Sequence, residues 1–314
     1  MRFRVLKAIL HLLLAIGLVG LWGCAAKNSQ RQSFKEYRKM MERQKAVAAL
    51  AEEPVKKIPE MNANEYERLG DSYLRQGNGD LAFFLYDKAI RLDPAQSRVR
   101  YKIGRLLIEK GLTEEAKKEF QVILKGNPNH ALAYEGIGRV FFKTGYFAEA
   151  ERNFQQALRI DPSLWQAYNF LGIIYDRQGQ FGAAILEYKS AITIKPNEGL
   201  LFNNLGISLF LNKEYDKAVR AFLEALRLES SSQKIYNNLA LALCKSERFH
   251  EGLEAFKKGG DEASAHYNMG CIYLIEGRFK EAIENFEKAI QLKPIFYIEA
   301  YENLKKARGA LNTS

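Results

Sequence analysis

Catalysis needs reactive side chains brought together, and in this sequence they stand apart. His130, His250 and His266 fall at no spacing that would let them share a metal ion. There is no glycine-rich phosphate loop, no nucleophile elbow and no paired-histidine zinc motif. Carboxylates mostly recur three or four residues from a Lys or Arg, the spacing of solvated helix faces. The expectation is therefore no enzyme, no catalytic residue, no metal, no cofactor and no small-molecule substrate. Hydrophobic content of 47% with 27% charged residues belongs to a folded chain with a substantial core, not a disordered one. The chemistry that remains is binding, together with whatever Cys24 does at the end of a long apolar run.

That run belongs to a first segment unlike the rest. Arg2, Arg4 and Lys7 precede an almost wholly apolar stretch from Ala8 to Gly23, interrupted by His11 and shorter than the roughly 20 residues a spanning helix needs. A basic start followed by a short apolar stretch reads as an export signal. Leu21-Trp22-Gly23-Cys24 resembles the bacterial lipobox, with an apolar residue at −3, a small one at −1 and the obligatory Cys; Trp22 is bulkier than usual for its place. The resemblance implies that residues 1–23 are removed and that Cys24 is acylated, anchoring the chain to a membrane. Ala25, where an inner-membrane retention signal would have Asp, implies the periplasmic face of the outer membrane. Loss of the leader lowers the net charge from +10 to +7, and residues 25–62 hold nine Lys/Arg against five Asp/Glu. The basic excess thus lies largely beside the expected anchor, where anionic headgroups attract it, and a nucleic-acid partner is excluded. Within this stretch Ser33-Phe34-Lys35-Glu36 reads as a capping box opening a helix at about 33–53, which lies on the membrane, against a partner, or back on the first repeat.

The elements that position any binding surface are repeats. Pro94, Pro128, Pro162 and Pro196 are 34 residues apart, and Pro294 keeps the register if one unit is four residues short. In that register the segments YERLGDSY, YKIGRLL, YEGIGRVF, YNFLGIIY, FNNLGISL, YNNLALAL and HYNMGCIY open seven units, each followed by a second helix with spacings such as Ala82-Tyr86-Ala89 and Ala218-Phe222-Ala225. These residues resemble the tetratricopeptide repeat. The resemblance implies an all-α, right-handed superhelical solenoid of about seven helix pairs. Its units are 63–96, 97–130, 131–164, 165–198, 199–232, 233–262 and 263–296, between the anchored linker 24–62 and a capping helix at 297–314. Gly70, Gly104, Gly138, Gly172, Gly206 and Gly270 are expected where the helices of a unit touch, since mid-helix Gly costs about 1 kcal/mol against Ala and needs a packing reason. The sixth unit departs, with Gly252 in place of Ala and Gly259-Gly260 where its second helix should be finishing. Cys244 and Cys271 fall on first helices of adjacent units, whose axes should be about 8–10 Å apart, beyond the roughly 7 Å Cα separation a disulfide allows. This favours free thiols.

In such repeats the first helices line an inner groove that takes an extended peptide or a helix of a protein partner. The groove positions differ between the two halves. Arg98, Tyr101, Arg105, Arg139, Lys143, Asn169, Asp176 and Arg177 make a polar, mainly basic front. Leu200, Asn203, Ile207, Phe210, Leu211, Leu241, Tyr267 and Ile275 make an apolar back, a binding strip unless neighbouring helices cover it. Asn204, Asn238, Asn268 and Asn303 recur on the first helices, either as amides that grip a peptide backbone or as consensus residues inherited with the repeat. The stretch YNNLALALCKSERFHEGLEAFKKGGDEASAHYNMGCIYL resembles the shortened-repeat region of the lipoproteins that serve Tad/Flp-type pilus assembly. That resemblance implies a scaffold for assembling a pilus or secretin complex; related lipoproteins serve envelope hydrolases, outer-membrane protein assembly and polysaccharide export.

Overall fold

The computed structural model describes residues 61–293 and 297–312. The leader 1–23, Cys24 and the helix expected at about 33–53 lie outside the described residues, as does Pro294. Among the described residues there are fifteen helices and no strand. They divide into two compact units at Ile174–Tyr175. The front unit holds α1 (Ala63–Arg75), α2 (Gly79–Leu92), α3 (Ser97–Glu109), α4 (Thr113–Gly126), α5 (Ala131–Thr144), α6 (Phe147–Ile160) and the start of α7 (Trp165–Arg177). The back unit holds the end of α7, then α8 (Phe181–Ile194), α9 (Gly199–Leu211), α10 (Tyr215–Leu228), α11 (Gln233–Lys245), α12 (Phe249–Gly259), α13 (Glu262–Ile275), α14 (Phe279–Leu292) and α15 (Ile298–Leu311). The all-α solenoid class stands: within both compact units first helices pack on their second helices, and second helices on the next first helix.

Local signals explain the helix ends. At the start of α1, Asn62 accepts the Glu65 backbone N–H at 3.1 Å while Glu65 accepts the Asn62 N–H at 2.7 Å, a reciprocal cap. Asn78 caps α2 by a single bond, accepting the Leu81 N–H. Pro94 and Pro128 follow α2 and α4 by two residues, where a ring without an N–H cannot extend the helix. The turn inside each pair needs a left-handed residue. Glycine supplies it at Gly77, Gly111, Gly145, Gly179 and Gly277, whereas Lys213 and Glu247 adopt it as non-glycines, with φ of 63° and 62°.

The glycines of the first helices do something more specific than let two backbones touch. A Cβ on Gly70 would stand 2.6 Å from the Tyr86 ring, and on Gly104 2.5 Å from Phe120. On Gly206 and Gly270 it would stand 2.6 Å from Phe222 and Phe286 respectively. Each of those rings comes from the second helix of the same repeat and is essentially inaccessible. The glycine makes room for a ring, and the ring fills the repeat. Phe120 is held twice, because a Cβ on Gly136 of α5 would also meet it at 2.5 Å.

The sixth repeat solves the same problem differently. Its first helix carries buried Ala240 where the others have Gly, and its second helix carries Gly252 where the others have Ala. A Cβ on Gly252 would lie 2.5 Å from Cys244 Sγ and 3.2 Å from the Ala240 carbonyl, so here backbone does approach backbone. α12 runs 11 residues against 14 for the other second helices. After it, Asp261 accepts the Ser264 N–H at 2.8 Å and starts α13 at once. The GDEA segment is thus a junction compressed to Gly260 and a cap. The last apolar face is covered by α15, whose Leu304 and Ala307 pack against Ala282 and Phe286.

Phe120→Ala should cost about 3–5 kcal/mol, the range for emptying a buried aromatic site. Urea denaturation followed by circular dichroism measures it, and a loss under about 1 kcal/mol would show that the ring is not what fills the repeat.

Candidate functional site

The surface at issue is the row of first helices, α1, α3 and α5 in the front unit and α9, α11 and α13 in the back. Much of its polar chemistry is spent within the chain. Consecutive first helices are stitched by side-chain bonds spanning about one repeat. In the front unit Arg98 Nε donates to Glu67 at 2.7 Å, and Lys102 donates to Glu67 at 2.6 Å and to both Asp71 oxygens at 2.6 and 2.7 Å. One repeat on, the Tyr101 hydroxyl donates to Glu135 at 2.8 Å, and Arg139 stands 3.5 Å from the other Glu135 oxygen. In the back unit Ser208 donates to Asp176, Asn238 donates to Asn203 at 3.0 Å, and Asn303 donates to the Tyr267 hydroxyl at 3.2 Å.

These stitches correct the groove expected from sequence. Asn203 and Asn238 are buried against each other and offer nothing outward. Asn303 and Tyr267 are likewise engaged, with Tyr267 also 5.1 Å from the Tyr297 ring. Arg98, although exposed, is paired with Glu67, and Arg139 lies between Glu135 and the Phe170 ring. Lys143 donates to the Ile108 carbonyl. Asn169 is buried, Asn204 and Asn268 are half-buried, and Arg177 is exposed. Arg105 is exposed and makes no hydrogen bond or ion pair among the described residues. Of the apolar positions, Leu200 and Ile275 are 45% and 38% exposed, and Ile207, Phe210, Leu211 and Leu241 are half-buried. Phe210 rests on the Tyr215 ring at 5.4 Å.

Of the acids that do the stitching, Asp176 is among the groove residues expected from sequence, whereas Glu67, Asp71 and Glu135 are not, although a signal is there. Buried tyrosine needs a partner for its hydroxyl. Where most repeats seat Phe, two seat Tyr, and each hydroxyl finds an acid of its own first helix: Tyr86 donates to Asp71 at 2.7 Å, and Tyr188 to Asp176 at 2.9 Å. The electrostatics differ between these acids. Burial alone would raise the Glu67 carboxyl, but the bonds from Arg98 and Lys102 outweigh it and hold it below the usual range. Asp176 has no such cation; burial pushes it up to about 6, against the opposing bonds from Ser208 and Tyr188. Burial likewise raises Glu135, with Arg139 and Tyr101 opposing. Cys244 and Cys271 are separate thiols, pushed up by burial to about 12 and about 11, and Cys244 lies 3.6 Å from Met269 Sδ. Among the described residues no group of three His, Cys, Asp or Glu could hold a metal, and no helix is long and apolar enough to cross a membrane.

With this geometry in view, comparison with known proteins is informative. The family described as the cilia and flagella-associated protein 70 C-terminal domain, a tetratricopeptide-repeat family, matches residues 26–269, and the tetratricopeptide repeat itself matches 263–296. No curated protein matches the chain in sequence. The C-terminal part of a repeat protein from Cytophaga hutchinsonii is 20% identical with a TM-score of 0.56, over 76% of this chain and 98% of that one. A thermophilic repeat protein of Thermus thermophilus is 19% identical with a TM-score of 0.50, over 58% and 99%. YrrB, described as a repeat protein with an unusual peptide-binding site, is 22% identical with a TM-score of 0.50, over 59% and 97%. At these identities the likeness is one of fold.

Asp176 yields a pH test. In the unfolded chain its carboxyl ionises near 3.8, in the folded chain near 6, so folding bears a penalty that is absent below pH 4 and complete above pH 6. Relative to Asp176→Asn, the wild type should lose about 3 kcal/mol of stability as pH rises through that window. Paired urea titrations at pH 4 and pH 7 read the difference; a gap independent of pH would refute the assignment.

Proposed function

Since the chain belongs to the tetratricopeptide-repeat family described as the cilia and flagella-associated protein 70 C-terminal domain, we propose that it is a protein-binding scaffold whose partner docks on the back unit. One observation carries this reading. On α9, α11 and α13, Leu200, Ile207, Leu211, Leu241 and Ile275 keep apolar surface open to solvent, although the repeat has polar residues to spare elsewhere. Open apolar side chains on a rigid helix row suit the apolar face of a partner helix or the side chains of an extended segment. Asn268, half-buried on α13, adds an amide of the kind that binds peptide backbone.

The finer reading is that the scaffold is exported, loses residues 1–23 and is held by acylated Cys24 at the periplasmic face of the outer membrane. There it assists assembly of a pilus or secretin complex. Its support is the Leu21-Trp22-Gly23-Cys24 segment, the basic residues that follow it, and the resemblance of the compressed sixth repeat to the pilus-assembly lipoproteins. The competing use is as an adaptor for envelope hydrolases, outer-membrane protein assembly or polysaccharide export.

Two measurements test these statements separately. Cys24→Ala should abolish incorporation of labelled acyl chains in a bacterial host, and undiminished labelling would remove the lipid anchor from the proposal. Leu200→Asp combined with Leu241→Asp should reduce partner capture from solubilised envelopes by roughly tenfold or more, about 1.4 kcal/mol or above, with the helical signal unchanged. Unchanged capture would move the docking surface elsewhere.

A further inference from the structure

We propose that the solvent face of α8 binds a second copy of this chain, the two α8 helices lying parallel about a two-fold axis with Leu186 against its own copy. This goes beyond the capture of a partner by the first helices and uses none of their residues.

Gly182, Leu186, Ser190 and Thr193 recur every three or four residues and so share one face of α8. The same places hold Asp216, Arg220, Glu224 and Arg227 on α10, and Glu114, Lys118, Val122 and Lys125 on α4. Each of the other second helices among the described residues carries at least two charges there, and α8 carries none. Leu186 is 64% exposed, the most open of the large apolar side chains among the described residues. No atom lies within 4 Å of where a Cβ on Gly182 would stand, so packing inside the chain does not account for that glycine. A second helix brought close against it would. The hydroxyls of this face are already satisfied by their own helix: Ser190 donates to the Leu186 carbonyl at 3.1 Å, and Thr193 to the Lys189 carbonyl at 3.0 Å. Covering the strip therefore strands no donor.

The flanks of the strip decide its occupant. Successive helix residues turn by about 100°, which puts Glu187 and Lys189 on opposite sides of the strip. Glu187 is half-buried and makes no hydrogen bond or ion pair among the described residues; burial alone raises its carboxyl, with no cation opposing. Lys189 is exposed and also makes no ion pair among them. It acts on Glu214 only at longer range, and Glu214 is already bonded by Lys217 and Asn212. A two-fold axis running between parallel helices brings the left flank of each beside the right flank of its copy. Glu187 of each chain then meets Lys189 of the other, so the pair forms twice. An antiparallel arrangement would set Lys189 beside Lys189 and Glu187 beside Glu187. The face is thus its own complement in one orientation. A single helix pair makes an interface at the small end of the specific range, so the association is reversible.

The test is cysteine cross-linking in bacterial cells that make the full chain, with diamide as the thiol oxidant and non-reducing electrophoresis as the readout. Residues beside a two-fold axis meet their own copies, so Leu186→Cys and Gly182→Cys should each give a band at twice the mass of the chain, roughly tenfold stronger than wild type. Leu223→Cys, on the exposed part of α10, should stay at the wild-type level. In the Leu186→Cys background, Lys189→Glu should weaken the dimer band roughly tenfold, and adding Glu187→Lys should restore it. A merely damaged fold would not be rescued by exchanging the two charges. A Leu186→Cys band no stronger than that of Leu223→Cys, or one at a mass other than twice the chain, would overturn the second copy as the occupant. Cross-linking through Leu186→Cys but not Gly182→Cys, or failure of the charge exchange to rescue, would overturn the parallel pairing. Partner capture by the first helices is untouched by any of these outcomes.

Discussion

Each repeat depends on an aromatic ring from its second helix lying where a side chain would otherwise leave the first. Gly70, Gly104, Gly206 and Gly270 give up roughly 1 kcal/mol of helix propensity apiece, and the ring each admits regains about 2–3 kcal/mol by complete burial. The balance favours the glycine only because the ring fills the space fully. Each such ring is essentially inaccessible, and the Cβ that glycine lacks would stand 2.5 to 2.6 Å from it, so ring or helix would have to shift. Because each repeat touches mainly its neighbours, the same local device must be repeated along the chain rather than used once.

The polar stitches follow from that packing. Rings seated on glycine bring consecutive first helices near enough for side chains about one repeat apart to meet, and at that range buried polar groups must find partners. Glu67 with Arg98 and Lys102, Glu135 with Tyr101, Asp176 with Ser208, and Asn203 with Asn238 are successive answers to one demand. Their electrostatic consequences diverge with the partner supplied. Two cations keep Glu67 ionised and make its contribution one that acid removes, whereas hydroxyl donors alone leave Asp176 raised and make its ionisation a cost. Such pairs are poor sources of net stability but sensitive to losing a member. They are therefore better read as fixing how one helix registers on the next.

The helix pairs are legible in the sequence because a 34-residue period writes apolar spacing, proline and glycine at regular intervals, each with a local physical cause. The glycine's true neighbour is less legible: spacing shows that a Cβ is unwelcome, not whether a ring or a backbone excludes it. The groove is legible only in part. Position within the repeat says which side chains share a helix face, and the exposed Leu200 and Ile275 lie where that reasoning puts them. It does not say which polar residues on that face are consumed by the adjacent repeat, because Glu67 and Arg98 are 31 residues apart and neither is unusual alone. Tyr in place of Phe at Tyr86 and Tyr188 was the available clue, since a buried hydroxyl implies an acceptor close by.

The sixth repeat shows that what the fold requires is a vacancy of the right size, not glycine at a given place. Ala240 stands where the other first helices have Gly while Phe256 is still buried, and Cys244 Sγ lies 2.5 Å from where a Cβ on Gly252 of the facing helix would be. That exchange draws the two helices together at the Ala240 carbonyl. α12 then ends at Gly259, where a Cβ would press on Tyr236 and Asn237 of α11. The helix stops there after 11 residues, and the Asp261 cap starts α13 directly. Gly252 and the buried Cys244 therefore go together: a Cβ at 252 would meet the thiol at 2.5 Å, so restoring the Ala of the other second helices would force one of the two to move.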